Sequence, residues 1–176
     1  MGLTENEKKV NSYGCVMIYI NFDDFKGIQR KIEVDDIYID PEDDSFGLES
    51  QPHVTLLYGL NKSVKDSEIK NIISSIDFSD ITIELTKICL FEIDGYDVLK
   101  FDVGDNETLV DANKQLKKLP FTNDYPKFQP HMTIAYLNPG TGNKYTKLFK
   151  DLTFKDIKPT KIVYSKSDGT KINFKI

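Results

Sequence analysis

The sequence is poor in arginine, and this shortage excludes one class of partner. Arginine occurs once, as Arg30, lysine supplies the other cations, and the net charge is −5. A protein that binds a long nucleic acid needs a basic surface, and arginine is a preferred ligand for its phosphates. The composition therefore disfavours long DNA and structured RNA as partners.

Cysteine and long apolar runs are also scarce. Cys15 and Cys89 form no Cys-x-x-Cys pair, and histidine occurs only twice, so the sequence offers no zinc ligand set and we expect no metal and no cofactor. Both cysteines lie in apolar runs and are interpreted as free buried thiols, which suit a reducing cytosol. No apolar run approaches the roughly 20 residues of a membrane span, and no signal peptide is visible. We therefore expect a cytoplasmic protein without membrane contact.

Both histidines lie in a repeated motif. Residues 51–58 read QPHVTLLY and residues 129–136 read QPHMTIAY. Five of the eight positions are identical, and the other three are apolar in both copies. Apolar runs that are rich in β-branched and aromatic residues and open with proline predict strands. One His-x-Thr occurs by chance, but two in a matching frame indicate one shared functional site.

Side chains alternate across a strand, so the histidine and the threonine of each copy are predicted on one face. The pairs are His53 with Thr55 and His131 with Thr133. Imidazole gains or loses a proton near neutral pH, and a threonine hydroxyl can donate to an anionic oxygen. Two facing pairs would supply a base, an acid and two donors, a set suited to in-line displacement at phosphorus without a metal.

The tyrosine that ends each copy is predicted on the opposite face. Tyr58 and Tyr136 each lie five positions after a histidine. A period of two therefore turns both rings away from the histidines. We interpret both tyrosines as packing residues.

The paired motifs at His53, Thr55, His131 and Thr133 resemble those of the 2H phosphoesterase superfamily, and the resemblance covers essentially the whole chain. It implies a duplicated α+β fold, with two lobes of antiparallel sheet, flanking helices and the histidine strands meeting at a central cleft. It also implies one domain over residues 1–176. The implied activity is hydrolysis of phosphodiester bonds by these four residues as the catalytic set.

The sequence around the motifs is most similar to the phage branch of that superfamily. The similar stretches are FGLE at 46–49, PHVTLLYG at 52–59 and YGCVM at 13–17. This branch includes anti-CBASS phosphodiesterases, which cleave the cyclic di- and trinucleotides of a bacterial immune signal. The resemblance implies a small cyclic oligonucleotide, such as 3',3'-cyclic GMP-AMP, as the substrate, met in the cytoplasm of a host bacterium.

Other functions stay open at this point. Members of the superfamily also act on RNA ends or 2'-5' linkages, as 2',3'-cyclic phosphodiesterases, 2'-5' oligoadenylate phosphodiesterases and 2'-5' RNA ligase-like enzymes. A protein that only sequesters cyclic nucleotides would not require two titrating side chains. A pure interaction protein would leave the repeated motif unexplained.

Four residues are candidate substrate contacts. A nucleotide site needs aromatic side chains on which bases stack. Tyr13 matches the phage-branch tyrosine, and Phe91 and Tyr96 are further aromatic candidates. Lys166 follows a predicted strand and could contact a phosphate. The alternative for these residues is core packing or, for the lysine, a solvated side chain.

The remaining pattern predicts the scaffold. Strands are expected at 15–22, 81–93, 98–103, 161–164 and 171–176, with another near 37–39, and helices at 63–76, 106–119 and 145–152. Asp94-Gly95 and Asp168-Gly169 are typical of hairpin turns. The acidic loop at 40–50 lacks the glycine of a calcium loop and is interpreted as solvated, with Gly47 allowing a close approach to the first histidine strand. Residues 1–12 are polar and expected to be loosely held.

Overall fold

A computed structural model of the protein describes residues 13–123 and 125–176. Residues 1–12, for which a loose segment was predicted, lie outside the described part. The strands are β1 (Gly14–Ile20), β2 (His53–Leu60), β3 (Ile83–Ile93), β4 (Tyr96–Val103), β5 (His131–Leu137), β6 (Phe154–Ile157), β7 (Pro159–Ser165) and β8 (Lys171–Lys175). The helices are α1 (Phe25–Gln29), α2 (Asp66–Ser74), α3 (Glu107–Leu116) and α4 (Asn143–Leu148), and a 3-10 turn spans Val34–Asp36.

The strands form two antiparallel sheets. The first sheet has the order β2-β1-β7-β8 and the second has the order β5-β4-β3-β6. The strand β1 is internal, and each histidine strand lies at an edge. One hydrophobic core contains residues from both sheets and from the helices. The predicted α+β fold with two antiparallel sheets is therefore confirmed.

Some scaffold elements differ from the sequence prediction. Helix α1 was not predicted, because five residues with a central Gly27 are too few to show a helical period. Strand β6 was also missed, and the expected strand near 37–39 is reduced to an isolated bridge between Ile37 and Leu137. The hairpin turns at Gly95 and Gly169 are confirmed, each glycine having a positive φ. Among the described residues, no helix combines the length and the apolar character that a bilayer crossing requires.

The outer edge of β5 is covered by the segment that leads into β2. This first connecting segment (residues 30–52) follows α1. The Tyr136 N–H donates to the Gly47 carbonyl at 2.8 Å, and the Glu49 N–H donates to the Ile134 carbonyl at 3.0 Å. The expectation that Gly47 approaches the first histidine strand is therefore wrong, because it lies against the second.

The outer edge of β2 is covered in the same way by the segment that leads into β5. This second connecting segment (residues 117–130) follows α3. The Thr122 N–H donates to the Gly59 carbonyl at 2.8 Å, and Phe121 forms a bridge with Leu60. Each histidine strand is thus closed by chain from the other half of the sequence.

Each histidine strand contains a β-bulge three residues after its histidine. The extra residue is Leu56 in β2 and Ile134 in β5, where the pairing register shifts. A bulge inserts one residue into the alternation, so the side chains beyond it change face. The prediction that Tyr58 and Tyr136 turn away from the histidines is therefore wrong: both line the same cavity as the histidines.

A buried side-chain amide binds the carbonyl of each bulged residue. Asn113 of α3 donates to the Leu56 carbonyl at 2.7 Å. Gln29 of α1 donates to the Ile134 carbonyl at 2.9 Å and to the Glu49 carbonyl at 2.8 Å. Both amides are buried. Since a bulge disrupts the ladder locally, these amides supply partners that the neighbouring strand does not.

The hydrogen bond from Asn113 can be tested by replacement with an isosteric apolar residue. We expect Asn113→Leu to lower the free energy of unfolding by about 1–3 kcal/mol, because the buried Leu56 carbonyl loses its donor. Urea denaturation measures the loss. The control is Lys114→Leu, at the next and exposed position of α3. A loss no larger than that of the control would show that the amide is dispensable.

Gly59 lies in close contact with backbone of the other half. Its φ is +95°, and a Cβ built there would lie 2.1 Å from the Thr122 carbonyl oxygen. We expect Gly59→Ala to cost about 1–2 kcal/mol for the left-handed conformation and about 1–3 kcal/mol more for overpacking. Gly95→Ala is the matched control, since Gly95 has a φ of +98° and no heavy atom within 4 Å of its Cβ position. Equal destabilisation of the two variants by thermal unfolding would contradict the close approach.

Candidate active site

The two edge strands β2 and β5 line one open cavity of about 550 Å³. His53 and Thr55 come from the first sheet, and His131 and Thr133 come from the second. All four side chains reach this cavity. The two motifs, which are far apart in the sequence, therefore meet in space.

Both histidine rings are held by the same hydrogen bond. His53 Nδ1 lies 2.9 Å from the Gln51 carbonyl oxygen, and His131 Nδ1 lies 2.9 Å from the Gln129 carbonyl oxygen. A carbonyl oxygen only accepts, so these bonds assign the proton of each neutral ring to Nδ1. Nε2 of each ring then carries the lone pair. Either imidazole can thus take a proton at Nε2 or, once protonated, donate one there.

The surroundings of His131 favour its neutral form. Burial lowers the pKa of His131 below the usual range, and the charges of Lys100 and His53 act in the same direction. The bond to the Gln129 carbonyl and the charge of Asp102 oppose this shift without cancelling it. His131 is therefore ready to accept a proton near neutral pH.

The two cysteines lie beside the site as thiols. Both are free, as the sequence predicts, and both are partly buried. Burial raises the pKa of Cys15 to about 12, although a hydrogen bond with Thr55 opposes the shift. Burial also raises the pKa of Cys89, beside Lys100. Neither residue is a thiolate near neutral pH, so neither is equipped as a nucleophile.

The structure brings two of the four predicted substrate contacts to the cavity. Phe91 and Tyr96 line it, and the Phe91 ring meets the His131 ring edge-on with centroids 5.1 Å apart. Tyr13 is not part of the lining, but its ring centroid lies 6.2 Å from that of Tyr58, and Tyr58 lines the cavity. Lys166 is not part of the lining either, and it forms an ion pair with Asp66 at 3.0 Å.

Sequence reasoning missed most of the aromatic wall. Tyr136 lines the cavity beside the predicted Tyr96. Tyr38 and Phe46 pack against these two rings, with ring centroids 4.9–5.4 Å apart. Tyr58, in the first motif copy, lines the cavity as well. Both motif copies end in tyrosine, and this shared residue could have indicated a role in the site. The assumption of strict alternation along the strand placed both tyrosines on the opposite face instead.

The rest of the lining is of mixed charge. Lys117 and Lys127 offer cations for a phosphate, while Glu49 and Glu92 keep the cavity from being uniformly basic. No group of three or more His, Cys, Asp or Glu side chains is arranged to hold a metal ion in the part of the chain that the structure describes.

Solved structures with the same fold agree with this description. Usb1 from Kluyveromyces marxianus has a TM-score of 0.61 at 11% identity, over 96% of this chain and 100% of that one. LigT from E. coli has a TM-score of 0.55 at 11% identity, over 94% of this chain and 95% of that one. At this level of identity the likeness concerns the fold. A search of curated proteins gives no significant sequence match.

A protein-family model gives the sequence-level relationship. The model described as the 2'-5' RNA ligase superfamily matches residues 32–162. The match covers well over half of the chain and includes both His-x-Thr motifs. The chain therefore belongs to the 2'-5' RNA ligase superfamily, the two-histidine phosphoesterases that the paired motifs indicated.

Proposed function

We propose that this phosphoesterase is a metal-independent phosphodiesterase that cleaves the 3'-5' bonds of small cyclic oligonucleotides. The observation that carries the proposal is the pair of imidazoles in one cavity, each with Nδ1 bound to a carbonyl and Nε2 left for proton transfer. Of His53 and His131, one would accept a proton from the substrate and the other would donate one to it. Thr55 and Thr133 would bind the non-bridging phosphate oxygens.

The reaction follows from these groups. One neutral imidazole takes the proton of the ribose 2'-hydroxyl at Nε2, and the 2'-oxygen forms a bond to phosphorus. The bond from phosphorus to the 5'-oxygen breaks, and the other imidazole, initially protonated, gives its proton to the departing oxygen. A 2',3'-cyclic phosphate forms, and water can open it with the two roles reversed. Each proton transfer is worth about 10²–10⁴-fold in rate.

The aromatic wall supports a substrate with more than one base. Phe91 lies beside His131, Tyr96 and Tyr136 lie along the second sheet, and Tyr58 lies along the first. Base stacking on an aromatic ring is worth about 1–3 kcal/mol per base and tolerates any base. Rings contributed by both sheets suit a ligand that presents bases on either side of one phosphodiester.

Cavity size and charge favour a small substrate. A volume of about 550 Å³ falls within the usual range for small-molecule sites. The single arginine and the net charge of −5 argue against a long polyanion. If the gene is carried by a phage, cleavage of 3',3'-cyclic GMP-AMP or a related messenger in the bacterial cytoplasm would counter CBASS defence.

Action on an RNA end or on a 2'-5' linkage is the second candidate. It is favoured by the nucleotides bound in two proteins of the same fold. One is K. marxianus Usb1 with uridine monophosphate, with a TM-score of 0.60, and the other is E. coli LigT with 3'-AMP. The same four residues would serve, because the chemistry at phosphorus is unchanged.

The two-histidine mechanism predicts a specific pattern of losses. We expect His53→Ala and His131→Ala each to lower kcat by about 10²–10⁴-fold, and the double variant to lose little more, because the pair acts as a unit. The rate of the wild-type protein should follow a bell-shaped pH profile and survive EDTA. Lys150→Ala, at an exposed position of the chain, is the control. Loss of turnover on chelation, with recovery on adding a divalent ion, would refute the mechanism.

A substrate panel decides between the two candidates. We expect mass spectrometry to show linear products from 3',3'-cyclic GMP-AMP and cyclic trinucleotides, and slower turnover of 2'-5' oligoadenylate and 2',3'-cyclic nucleotides. The control is a cyclic dinucleotide that lacks both 2'-hydroxyls, which should resist cleavage because the nucleophile is absent. Turnover confined to the 2'-5' and 2',3'-cyclic compounds would support the second candidate, and ligand recovered intact from every reaction would indicate a sequestering protein.

A further inference from the structure

We propose that Lys100 and Asp102 of β4 are positioning residues that make the two histidines unequal, so that His131 is the base and His53 is the acid. This inference rests on the proposed function and deepens it. It is drawn from the strands that flank the motifs, because the motifs themselves are nearly identical.

The flanking strands differ beside the histidines. β1 pairs with β2 and β4 pairs with β5, so the two positions can be compared directly. Tyr19 lies opposite His53, with ring centroids 5.6 Å apart, whereas Asp102 lies opposite His131. An uncharged ring thus accompanies one imidazole and a carboxylate accompanies the other.

The flanking strands differ again beside the threonines. Met17 lies opposite Thr55, whereas Lys100 lies opposite Thr133. Directly opposed residues of an antiparallel pair project from the same face, so Met17 and Lys100 occupy matching places in the two sheets. The methionine shows that this place can be filled by an apolar side chain. The lysine is therefore not required by the geometry of the fold.

Lys100 is held in one place by neighbouring groups. It is 5% exposed, and its Nζ lies 2.6 Å from Asp102 Oδ1, 3.1 Å from Cys89 Sγ and 4.1 Å from the centre of the Phe91 ring. Phe91 in turn meets the ring of His131. A buried ammonium is costly to desolvate. The Lys100 side chain is 6% exposed and that of Asp102 is 35% exposed, so a desolvated positive charge lies beside the ring that His131 contacts.

Lys100 and Asp102 affect the protonation of His131. The charges that act on this ring are those of Lys100, Asp102 and His53. Cys89 contacts Lys100, and the other charged or titratable side chains that line the same cavity are Glu49, Glu92, Lys117, Lys127, Tyr58, Tyr96, Tyr125 and Tyr136. Burial is the main cause that lowers the pKa of His131; the bond to the Gln129 carbonyl and the charge of Asp102 raise it, and the charge of Lys100 lowers it. The balance keeps His131 neutral, as a base must be.

Each proton transfer can then be assigned to one histidine. His131 Nε2 takes the 2'-hydroxyl proton while the bond from oxygen to phosphorus forms. The bond from phosphorus to the leaving 5'-oxygen breaks, and that oxygen receives the proton of His53 Nε2. In the second step, when water opens the cyclic phosphate, His53 is the base and His131 the acid.

The first test uses the small number of histidines. A chain with only two gives two ring Cε1–H signals, which His53→Gln and His131→Gln assign. In Lys100→Met, which copies the matching position of β1, we expect the titration midpoint of His131 to rise by about one pH unit and that of His53 to move less. The acidic limb of kcat/KM should shift to higher pH with it. An unchanged midpoint of His131 in the folded variant would overturn the role of Lys100.

The second test separates the acid from the base. Cleavage of 3',3'-cyclic GMP-AMP is compared with cleavage of its analogue in which sulfur replaces the 5'-bridging oxygens, because a thiolate leaves without general acid help. The defect of His53→Ala should shrink by about 10²-fold or more on the sulfur analogue, while that of His131→Ala should persist. Rescue of His131→Ala instead, or equal defects on both compounds, would refute the assignment of roles. If the wild-type protein cleaves neither compound, the proposed function itself fails for this substrate, a result distinct from equal defects in an active enzyme.

Discussion

Two buried hydrogen bonds determine the shape of the site. Asn113 and Gln29 bind the carbonyls of the bulged residues, and each amide comes from a helix of the opposite half. The bulges turn the ends of the histidine strands, so the cavity acquires aromatic walls as well as imidazoles. Each of these hydrogen bonds thus joins a helix to a strand that lines the cavity. A shift of either helix would therefore move the strand that carries a motif.

The site combines symmetry with one difference. The repeated strands supply two imidazoles that make the same Nδ1 bond, which suits a reaction that needs both an acid and a base. Two identical groups would share these roles equally. The strands beside them differ, because β4 carries the buried Lys100 paired with the partly exposed Asp102 where β1 carries uncharged side chains. In the proposed mechanism the motif supplies the acid and the base, and the neighbouring strand determines which histidine takes each role.

Hydrophobic periodicity predicted most of the strands, and the repeated histidine motif indicated one shared site. The resemblance to the superfamily implied the antiparallel sheets and the cleft at which the motifs meet. Sequence reasoning failed where a residue's position depends on the partner strand. Tyr58 and Tyr136 were assigned to the wrong face, since a bulge leaves no mark in a single strand's pattern. Gly47 was assigned to the wrong strand, because its partner Tyr136 lies in a distant part of the sequence. Each error concerns contacts between parts that are distant in the sequence.

The exchange of connecting segments has a consequence for the chain as a whole. Each edge strand is closed by backbone that belongs to the other repeat, through Gly47 on one side and Thr122 on the other. A half-length polypeptide would leave the edge of its own histidine strand open to self-association. The C-terminal strands β7 and β8 also complete the sheet that holds β1 and β2. The two halves are therefore joined by exchanged segments and by a shared sheet, and cutting the chain between the repeats should yield fragments that remain associated.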